Sequence, residues 1–200
     1  MSPLHVLTRT LLAMVFLAGP ASAATISFAP GSQSVEIGDS VSVDIVVSDL
    51  GGEIVSAYDL DIQYDAAILN ATGVSFDTGL GDALAFEALE SFDVGTAGLV
   101  DLAQVSLLGD AALLALQGGD EVRLATLVFE AVGPGTSSLD FLFDAANDIK
   151  GAGALILDVT DASGSIRVTT PIPEPRAALL FGLGLFVLHR RIQGSRTPSV

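Results

Sequence analysis

The chain has 200 residues, no cysteine and a formal net charge of −16. Segment 24–170 holds 23 Asp and Glu residues against three basic ones, so its own net charge is −20. Such a surface repels phosphate backbones, which excludes nucleic acid as a partner. The lack of cysteine excludes thiol catalysis and thiolate metal sites.

Residues 1–23 have the pattern of a signal peptide. A weakly basic start is followed by the apolar run Leu11–Ala18, which Gly19-Pro20 breaks. Ala21 and Ala23 satisfy the small-residue rule for cleavage. We therefore expect export, a cut after Ala23 and a mature body that begins at residue 24.

The body alternates short apolar stretches with Gly, Asp, Ser and Pro. In residues 58–65, Tyr58, Leu60, Ile62 and Tyr64 alternate with polar side chains, and this period of two indicates a half-buried strand. Similar patterns predict about nine strands, drawn from 25–28, 34–37, 40–47, 58–65, 68–76, 83–92, 99–107, 123–131, 137–143 and 154–168, the last one broken near Thr160.

Helix signals are few. Asp110 is expected to cap one short helical run from Ala111 to Leu116, and Gly118-Gly119 end it. Residues 82–90 fit a helix as well as a strand. Many strands with almost no helix predict an all-β fold, an antiparallel β-sandwich in a single domain, residues 24–168.

The body offers little for catalysis. His5 and His189 lie outside it, which excludes Ser-His-Asp triads and histidine metal sites. Paired carboxylates for glycoside hydrolysis are the catalytic arrangement that is left. Among 23 acids some pair always lies close, so a solvated sheet face is the simpler interpretation and we expect no enzyme.

Calcium is the one cofactor alternative. Residues 144–148 and 158–161 offer the carboxylate and amide oxygens that calcium prefers. However, no D-x-[DN]-x-[DN]-G loop with a trailing Glu occurs. Solvated turns are the simpler interpretation of both segments, so we expect no cofactor.

The C-terminal part has three sections. Residues 169–176 form a linker that contains Pro173-Glu174-Pro175, whose prolines keep it out of a sheet. The apolar run 177–188 leads to Arg190 and Arg191, and residues 192–200 form a short tail. A helix over that run rises only about 18 Å, against about 30 Å for a bilayer core. Snorkelling arginines and a thinned bilayer offset this mismatch, so we predict a hydrophobic membrane segment at 177–191.

Two segments of the body resemble the cohesin family. Residues 57–74, A-Y-D-L-D-I-Q-Y-D-A-A-I-L-N-A-T-G-V, resemble its amphipathic strand followed by Tyr-Asp and a buried aliphatic pair. Residues 118–141 resemble a later strand, Gly turn and strand, and residues 35–41 an opening Val-Glu-x-Gly-Asp-x-Val. The resemblance implies a jelly-roll sandwich that holds a dockerin, a small helical module, on one face. It makes the outward residues of the matching strand the candidate partner contacts: Asp59, Asp61 and Gln63.

A carbohydrate-binding module that contacts exopolysaccharide directly is the alternative, because cohesin-like sandwiches are close to such modules in fold. The residues support it less well. The chain has no Trp, and Tyr58 and Tyr64 share the apolar face of their strand.

The tail resembles the PEP-CTERM sorting signal of Gram-negative bacteria that make exopolysaccharide. Pro173, Glu174 and Pro175 match the motif, 177–188 the apolar span, and Arg190-Arg191 the basic stop, whereas Arg176 stands where a small residue is more usual. The resemblance implies recognition by an exosortase, a membrane-embedded processing enzyme. It also implies transient anchoring in the inner membrane before release to the cell surface or extracellular matrix.

Overall fold

Twelve strands and one α-helix make up the part of the chain that the computed structural model describes, residues 23–143 and 148–171. The helix α1 spans Asp110–Gln117. The strands are β1 Ala24–Ala29, β2 Ser32–Glu36, β3 Ser40–Ser48, β4 Ala57–Tyr64, β5 Leu69–Phe76, β6 Ala88–Asp93, β7 Leu99–Ser106, β8 Glu121–Ala131, β9 Gly135–Leu142, β10 Ile149–Lys150, β11 Val159–Ala162 and β12 Gly164–Thr169.

The strands form two sheets that pack face to face. The five-stranded sheet has the order β11-β1-β3-β8-β5, and the seven-stranded sheet has the order β2-β12-β9-β4-β7-β6, with β10 beside β4. The period-two pattern of β4 points Tyr58, Leu60, Ile62 and Tyr64 into the space between them, where all four are buried. The predicted all-β sandwich is therefore confirmed.

Aromatic pairs join the two sheets across the core. The ring of Phe28 on β1 stacks on Phe141 of β9 with centroids 4.3 Å apart. Tyr64 of β4 meets Phe129 of β8 edge to face at 5.3 Å. Burial of each such side chain stabilises the fold by about 1.5–3 kcal/mol, so these contacts fix how the sheets face each other.

The prediction of an antiparallel sandwich is wrong for the pairs that the first two strands form with the last two. Of the ten strand pairings described, eight are antiparallel, but β1 with β11 and β2 with β12 are parallel. The chain passes from one sheet to the other between β1 and β2, at Pro30-Gly31, and again between β11 and β12, at Ser163. The strand number exceeds the predicted nine because the pattern at 154–168 yields β11 and β12 and because β10 was not predicted.

Two local predictions also change. Within 83–92, a 3-10 turn at Ala83–Ala85 precedes β6, because the Asp82 carboxylate accepts a hydrogen bond from Leu84 N (2.8 Å). The predicted helix forms as α1, but Gly109 is its N-cap residue. The Asp110 carboxylate instead accepts a hydrogen bond from Gly153 N (3.1 Å).

The first and last described strands end at opposite ends of the sandwich. Thr25 pairs with Ser48 at one end of β3. Near the other end of β3, Ile37 N donates a hydrogen bond to Thr169 O (3.0 Å). The nine residues of β3 span about 30 Å. We call the two ends of the sandwich the Ala24 end and the Thr169 end.

The predicted targeting segments lie outside the described residues. This holds for the signal peptide up to residue 22 and for residues 172–200, with the Pro-Glu-Pro motif and the apolar run. Within 23–143 and 148–171, no helix has the length and apolar character that crossing a bilayer requires.

Candidate binding face

The outer face of the seven-stranded sheet carries the three predicted contact residues. Asp59, Asp61 and Gln63 alternate with the buried residues of β4, so their side chains lie on the side away from the core. Asp59 and Asp61 are half-buried and Gln63 is exposed. Strand β4 lies between β9 and β7, which places the three residues in the middle of a surface built by β9, β4, β7 and β6. We call this surface the outer face.

The strand register aligns three carboxylates across the outer face. Asp61 pairs with Asp101 of β7, and Asp101 pairs with Asp93 of β6. Like charges that oppose each other directly on neighbouring strands destabilise a sheet. Partial burial raises the pKa of Asp101, and the charges of Asp61, Asp59 and Asp93 raise it further. We call Asp61, Asp101 and Asp93 the acidic row.

A fifth aspartate on this face is held by hydrogen bonds from serine side chains. Asp140 of β9 pairs with Gln63, and its carboxylate accepts a hydrogen bond from Ser163 Oγ (2.7 Å). Hydrogen bonds from Ser138 and Ser163 lower the pKa of Asp140, because they favour the charged form. The carboxylate of Asp140 is thus stabilised within the chain.

Towards the Ala24 end, the outer face turns apolar. Val105 of β7 pairs with Leu89 of β6, and their exposed fractions are 46% and 61%. Leu107 N donates a hydrogen bond to Glu87 O (2.7 Å), which joins the end of β7 to the loop before β6. That loop exposes Leu84 at 91% and Phe86 at 85%. We call the exposed side chains here the apolar zone: Leu84, Phe86, Leu89, Val105 and Leu107.

The loop that presents Leu84 and Phe86 is closed by its own hydrogen bonds. The Asp77 carboxylate accepts from Gly79 N (3.1 Å), and Glu87 Oε2 accepts from Asp82 N (3.2 Å). Phe86 has a φ of 60°, a left-handed conformation that costs a non-glycine residue free energy. The loop therefore holds two large apolar side chains in water at a cost in stability.

Sequence reasoning missed the apolar zone. It treated residues 83–92 as a strand or a helix, and either would have hidden part of the loop. The run Asp77-Thr-Gly-Leu-Gly-Asp82 carried the signal, because aspartates that cap turns and glycines mark an ordered loop rather than a strand.

A buried polar network supports the outer face from beneath. Tyr58 Oη lies 3.1 Å from Gln104 Oε1 and 3.2 Å from Leu124 O. Gln104 Nε2 in turn donates a hydrogen bond to Glu90 Oε1 (3.1 Å). Burial raises the pKa of Tyr58, and the charge of Glu90 adds to the effect, so the hydroxyl stays protonated and can donate.

A second buried amide fixes the approach to β4. Val55 N donates a hydrogen bond to Gln117 Oε1 (2.8 Å), and Gln117 Nε2 donates to Val55 O (2.6 Å). The same Nε2 lies 3.1 Å from Gly79 O. Gln117 thus ties α1 to the segment before β4 and to the loop of the apolar zone.

One concavity of the described residues lies away from the outer face. A pocket of about 360 Å³ at the Ala24 end lies between Leu50, Glu53, Leu155 and Asp158. Its walls are mostly apolar, and it contains no histidine or cysteine.

The described residues add no support for a calcium site. Within residues 23–143 and 148–171, no three His, Cys, Asp or Glu side chains gather as metal ligands. Residues 144–147 of the first predicted loop lie outside the described part. In the second, Val159 to Asp161 belong to β11, and Asp158 O accepts a hydrogen bond from Ala24 N (3.2 Å).

No protein-family model and no curated protein matches the chain. Solved structures do. CaCohA2 of Clostridium acetobutylicum, in complex with CaDoc0917, matches with a TM-score of 0.60 and 22% identity, over 74% of this chain and 100% of that one. The seventh ScaB type I cohesin of Pseudobacteroides cellulosolvens matches with a TM-score of 0.58 and 18% identity, over 76% and 96%.

A third structure is the sixth cohesin of Acetivibrio cellulolyticus scaffoldin B in complex with a mutant Cel5 dockerin. It matches with a TM-score of 0.59 and 12% identity, over 74% of this chain and 100% of that one. The chain has the cohesin fold. The predicted resemblance is confirmed at that level, and it covers the body of the protein.

Proposed function

We propose that the body is a non-catalytic module that binds another protein on its outer face. The observation that carries the proposal is the apolar zone beside the acidic row. Large apolar side chains held in water by an ordered loop are typical of interaction sites. The body has no histidine or cysteine, which agrees with a binding role rather than a catalytic one.

The cohesin fold supports a protein partner of dockerin type. Two of the cohesins described above were solved in complexes, one with CaDoc0917 and one with a Cel5 dockerin. At 12–22% identity these matches concern the fold, so the proposal for this chain rests on its own outer face. Asp59, Asp61 and Gln63 occupy the middle of that face and are the proposed contacts.

Site-specific photo-crosslinking tests the face. A benzophenone amino acid is placed at Gln63 or Ala103 on the outer face, and at Ser42 or Ser75 on the opposite sheet as matched controls. We expect protein adducts in the producing cell from the first two positions alone. Equal adducts from all four positions, or none from the outer face, would contradict a protein-binding role for this surface.

Direct binding of exopolysaccharide is the competing outcome. Tyr58 and Tyr64 are 2% and 6% exposed, so neither offers a ring for sugar stacking. A glycan array decides between the two functions. Retention on polysaccharide that Asp59→Ala and Asp61→Ala leave intact would replace the proposal with a carbohydrate-binding module.

We further propose that the protein is exported and sorted by an exosortase. The support is the sequence pattern of the two ends, with Ala21 and Ala23 at the signal cleavage and Pro173-Glu174-Pro175 before the apolar run. The protein would be anchored transiently in the inner membrane and then released to the cell surface or extracellular matrix of a Gram-negative bacterium.

The sorting proposal has its own test. Pro173→Ala with Glu174→Ala is expected to leave the protein in the membrane fraction, because the processing enzyme no longer recognises its motif. Cell fractionation followed by blotting measures this. Release of the double variant as efficiently as the wild type would rule out sorting by this motif.

A further inference from the structure

We propose that removal of the signal peptide completes a cation site at the Ala24 end: the new α-ammonium group of Ala24 pairs with the carboxylates of Glu53 and Asp158 and fastens β1 to the sandwich. The inference rests on the proposed export, with its cut after Ala23. It is carried by the position of the Ala24 nitrogen, which lies at the wall of a pocket that the two acidic residues also line.

The first strand already holds this nitrogen in place. Ala24 is 4% exposed, it pairs with Val159 of β11, and its N–H donates a hydrogen bond to Asp158 O (3.2 Å). On the other side of β1, Thr25 pairs with Ser48 of β3. A cut directly before β1 removes none of these contacts, so the new terminus stays where the strand places it.

Cleavage changes the chemistry of the nitrogen. Hydrolysis of the peptide bond between Ala23 and Ala24 consumes one water, whose hydroxyl joins the carbonyl carbon of Ala23 while its hydrogen joins the nitrogen of Ala24. At neutral pH the released carboxylic acid loses a proton to the solvent and the amine takes one up. An amide with one hydrogen thus becomes a cation with three. One hydrogen keeps the bond to Asp158 O, and two are free to be donated into the pocket.

The pocket at the Ala24 end is small enough for its walls to act on this cation. Its volume of about 360 Å³ is that of a sphere about 9 Å across, within the Debye length of about 10 Å at 0.1 M salt. Glu53 and Asp158 are both exposed to water. The cation therefore keeps much of its hydration, and the attraction of the carboxylates outweighs the cost of burial.

Carboxylates outnumber cations around the start of β1. They come from the loop after β3, the start of β8, the first turn of α1 and the segment before β11: Asp49, Glu53, Asp110, Asp120, Glu121 and Asp158. Among the described residues here the cation is Lys150, next to the wall residue Gly151, and its Nζ is already paired with Asp148. Arg123, further along β8, is paired with Asp77. The negative field at the Ala24 nitrogen raises the pKa of the ammonium group above its usual range.

NMR titration of the mature chain tests the site. Residues 24–200 are produced behind a removable fusion whose cut leaves Ala24 first, so the sample does not depend on the signal peptidase. The chemical shift of the Ala24 methyl carbon follows the charge of its own amine, and it is recorded against pH in native buffer and in concentrated urea. We expect the amine to bind its proton at least about tenfold more tightly in the folded protein. Equal proton affinity in both states would overturn the inference.

Neutralisation of the wall carboxylates locates the effect. Glu53→Gln with Asp158→Asn is expected to reduce the difference in proton affinity to less than about threefold, because both partners of the cation are lost. The matched control is Glu36→Gln with Glu130→Gln, the same charge change at exposed positions of the Thr169 end. It lies well beyond a Debye length and should alter the difference by less than about twofold. An equal loss in the control would assign the effect to the net charge of the body and overturn the site.

The stability of the mature chain should depend on pH with a definite sign. Because folding raises the pKa of the ammonium group, its contribution is fully present below the unfolded pKa and is lost as pH rises through the folded one. The comparison is with a chain that begins at Ser22, whose ammonium group lies two strand residues, about 7 Å, further out. At pH 6 the unfolding equilibrium constant of the chain that begins at Ala24 should be smaller by about fivefold or more. A difference that does not change with pH would come from contacts of the two added residues and would overturn the inference.

N-terminal sequencing of the exported protein separates this inference from the proposed export. A sequence that begins at Ala24 is expected. Any other start contradicts the proposed cut and, with it, the site. A start at Ala24 with an ordinary proton affinity overturns the site alone and leaves export standing.

Discussion

The outer surfaces of the two sheets differ in how their charges are matched. On the five-stranded sheet, Arg123 binds Asp77 through Nε (2.8 Å) and Nη2 (2.6 Å), and Nη1 lies 3.5 Å from Asp44. Thr126 Oγ1 also donates a hydrogen bond to Asp44 (2.6 Å). On the seven-stranded sheet, the register instead opposes carboxylate to carboxylate in the acidic row.

The comparison separates a surface with paired charges from the proposed binding surface. Matched charges and hydrogen bonds lower the free energy of the free protein, which suits a surface that stays in water. Opposed charges and exposed aliphatic groups raise it, and a partner that relieves both gains binding free energy by doing so. The difference between the two surfaces supports the proposed binding face.

The largest effect is expected at Gln117, which holds the scaffold under the outer face. Gln117→Leu leaves the buried backbone N–H of Val55 without its acceptor, so we expect the free energy of unfolding to fall by about 2–3 kcal/mol. Urea denaturation measures it. Gln63→Leu, at an exposed glutamine, is the control and should change stability by less than about 0.5 kcal/mol. Similar losses of stability from both substitutions would show that Gln117 does not support the outer face.

The next effect tests the matched surface. Asp77→Ala removes the cap on Gly79 N and the partner of Arg123, and loss of the cap alone should lower the free energy of unfolding by about 1 kcal/mol. Thermal unfolding checks it against Asp161→Ala, an exposed aspartate on the edge strand β11. If the two substitutions lower the free energy of unfolding equally, the charges on the five-stranded sheet are no better paired than those of an ordinary surface.

The acidic row predicts an effect of opposite sign. Asp101→Asn removes a charge that its neighbours repel, so we expect stability at neutral pH to rise by about 0.2–1 kcal/mol. Glu121→Gln, on β8 of the other sheet, is the matched neutralisation and should change little. A loss of stability in Asp101→Asn would show that the row is compensated within the chain.

The same row predicts the direction of a pH dependence. Partial burial and the charges of Asp61, Asp59 and Asp93 raise the pKa of Asp101 in the folded state above its unfolded value. Its contribution to stability is therefore fully present below the unfolded pKa and is lost as pH rises through the folded one. The advantage of Asp101→Asn over the wild type should grow over that interval. An advantage that does not change with pH would exclude this titration as its cause.

The smallest effect is expected at Phe86. Phe86→Gly relieves the left-handed backbone but adds chain entropy to the unfolded state, so we expect stability to rise by about 0.5 kcal/mol at most. Leu84→Gly, in the adjacent 3-10 turn, should instead lower it by about 0.5–1 kcal/mol. Both should weaken partner binding at the apolar zone, measured as the adduct yield from the photo-crosslinker at Gln63. Unchanged yields in both variants would remove this loop from the interface.

Most strands could be predicted from the sequence because their pattern is local. In β4 the alternation of apolar and acidic residues sets both the strand and its inward side, whatever lies beside it. The parallel pairs could not be predicted, because Ala24 and Val159 pair although they lie 135 residues apart in the sequence (159 − 24). No local sequence pattern shows that the chain changes sheet both between β1 and β2 and between β11 and β12.

The candidate site divides in the same way. Asp59, Asp61 and Gln63 were placed on an outward side from the pattern of one strand. The acidic row could not be predicted, because it depends on the register among β4, β7 and β6. The sequence of a single strand does not determine that register. The apolar zone joins the end of β7 to a loop whose conformation depends on capping aspartates and on Phe86. The predictions for the two targeting ends stay predictions.

The parallel pairing of the first two strands with the last two has a mechanical consequence. Strand β1 pairs with β11 through four residue pairs, and β2 pairs with β12 through five. These strands leave the sandwich at opposite ends, so tension between the two termini slides them past each other along their length. All the hydrogen bonds of both ladders then resist together, whereas an unzipping geometry would break them one at a time. A load applied between Ala24 and Thr169 is therefore borne by both ladders in shear.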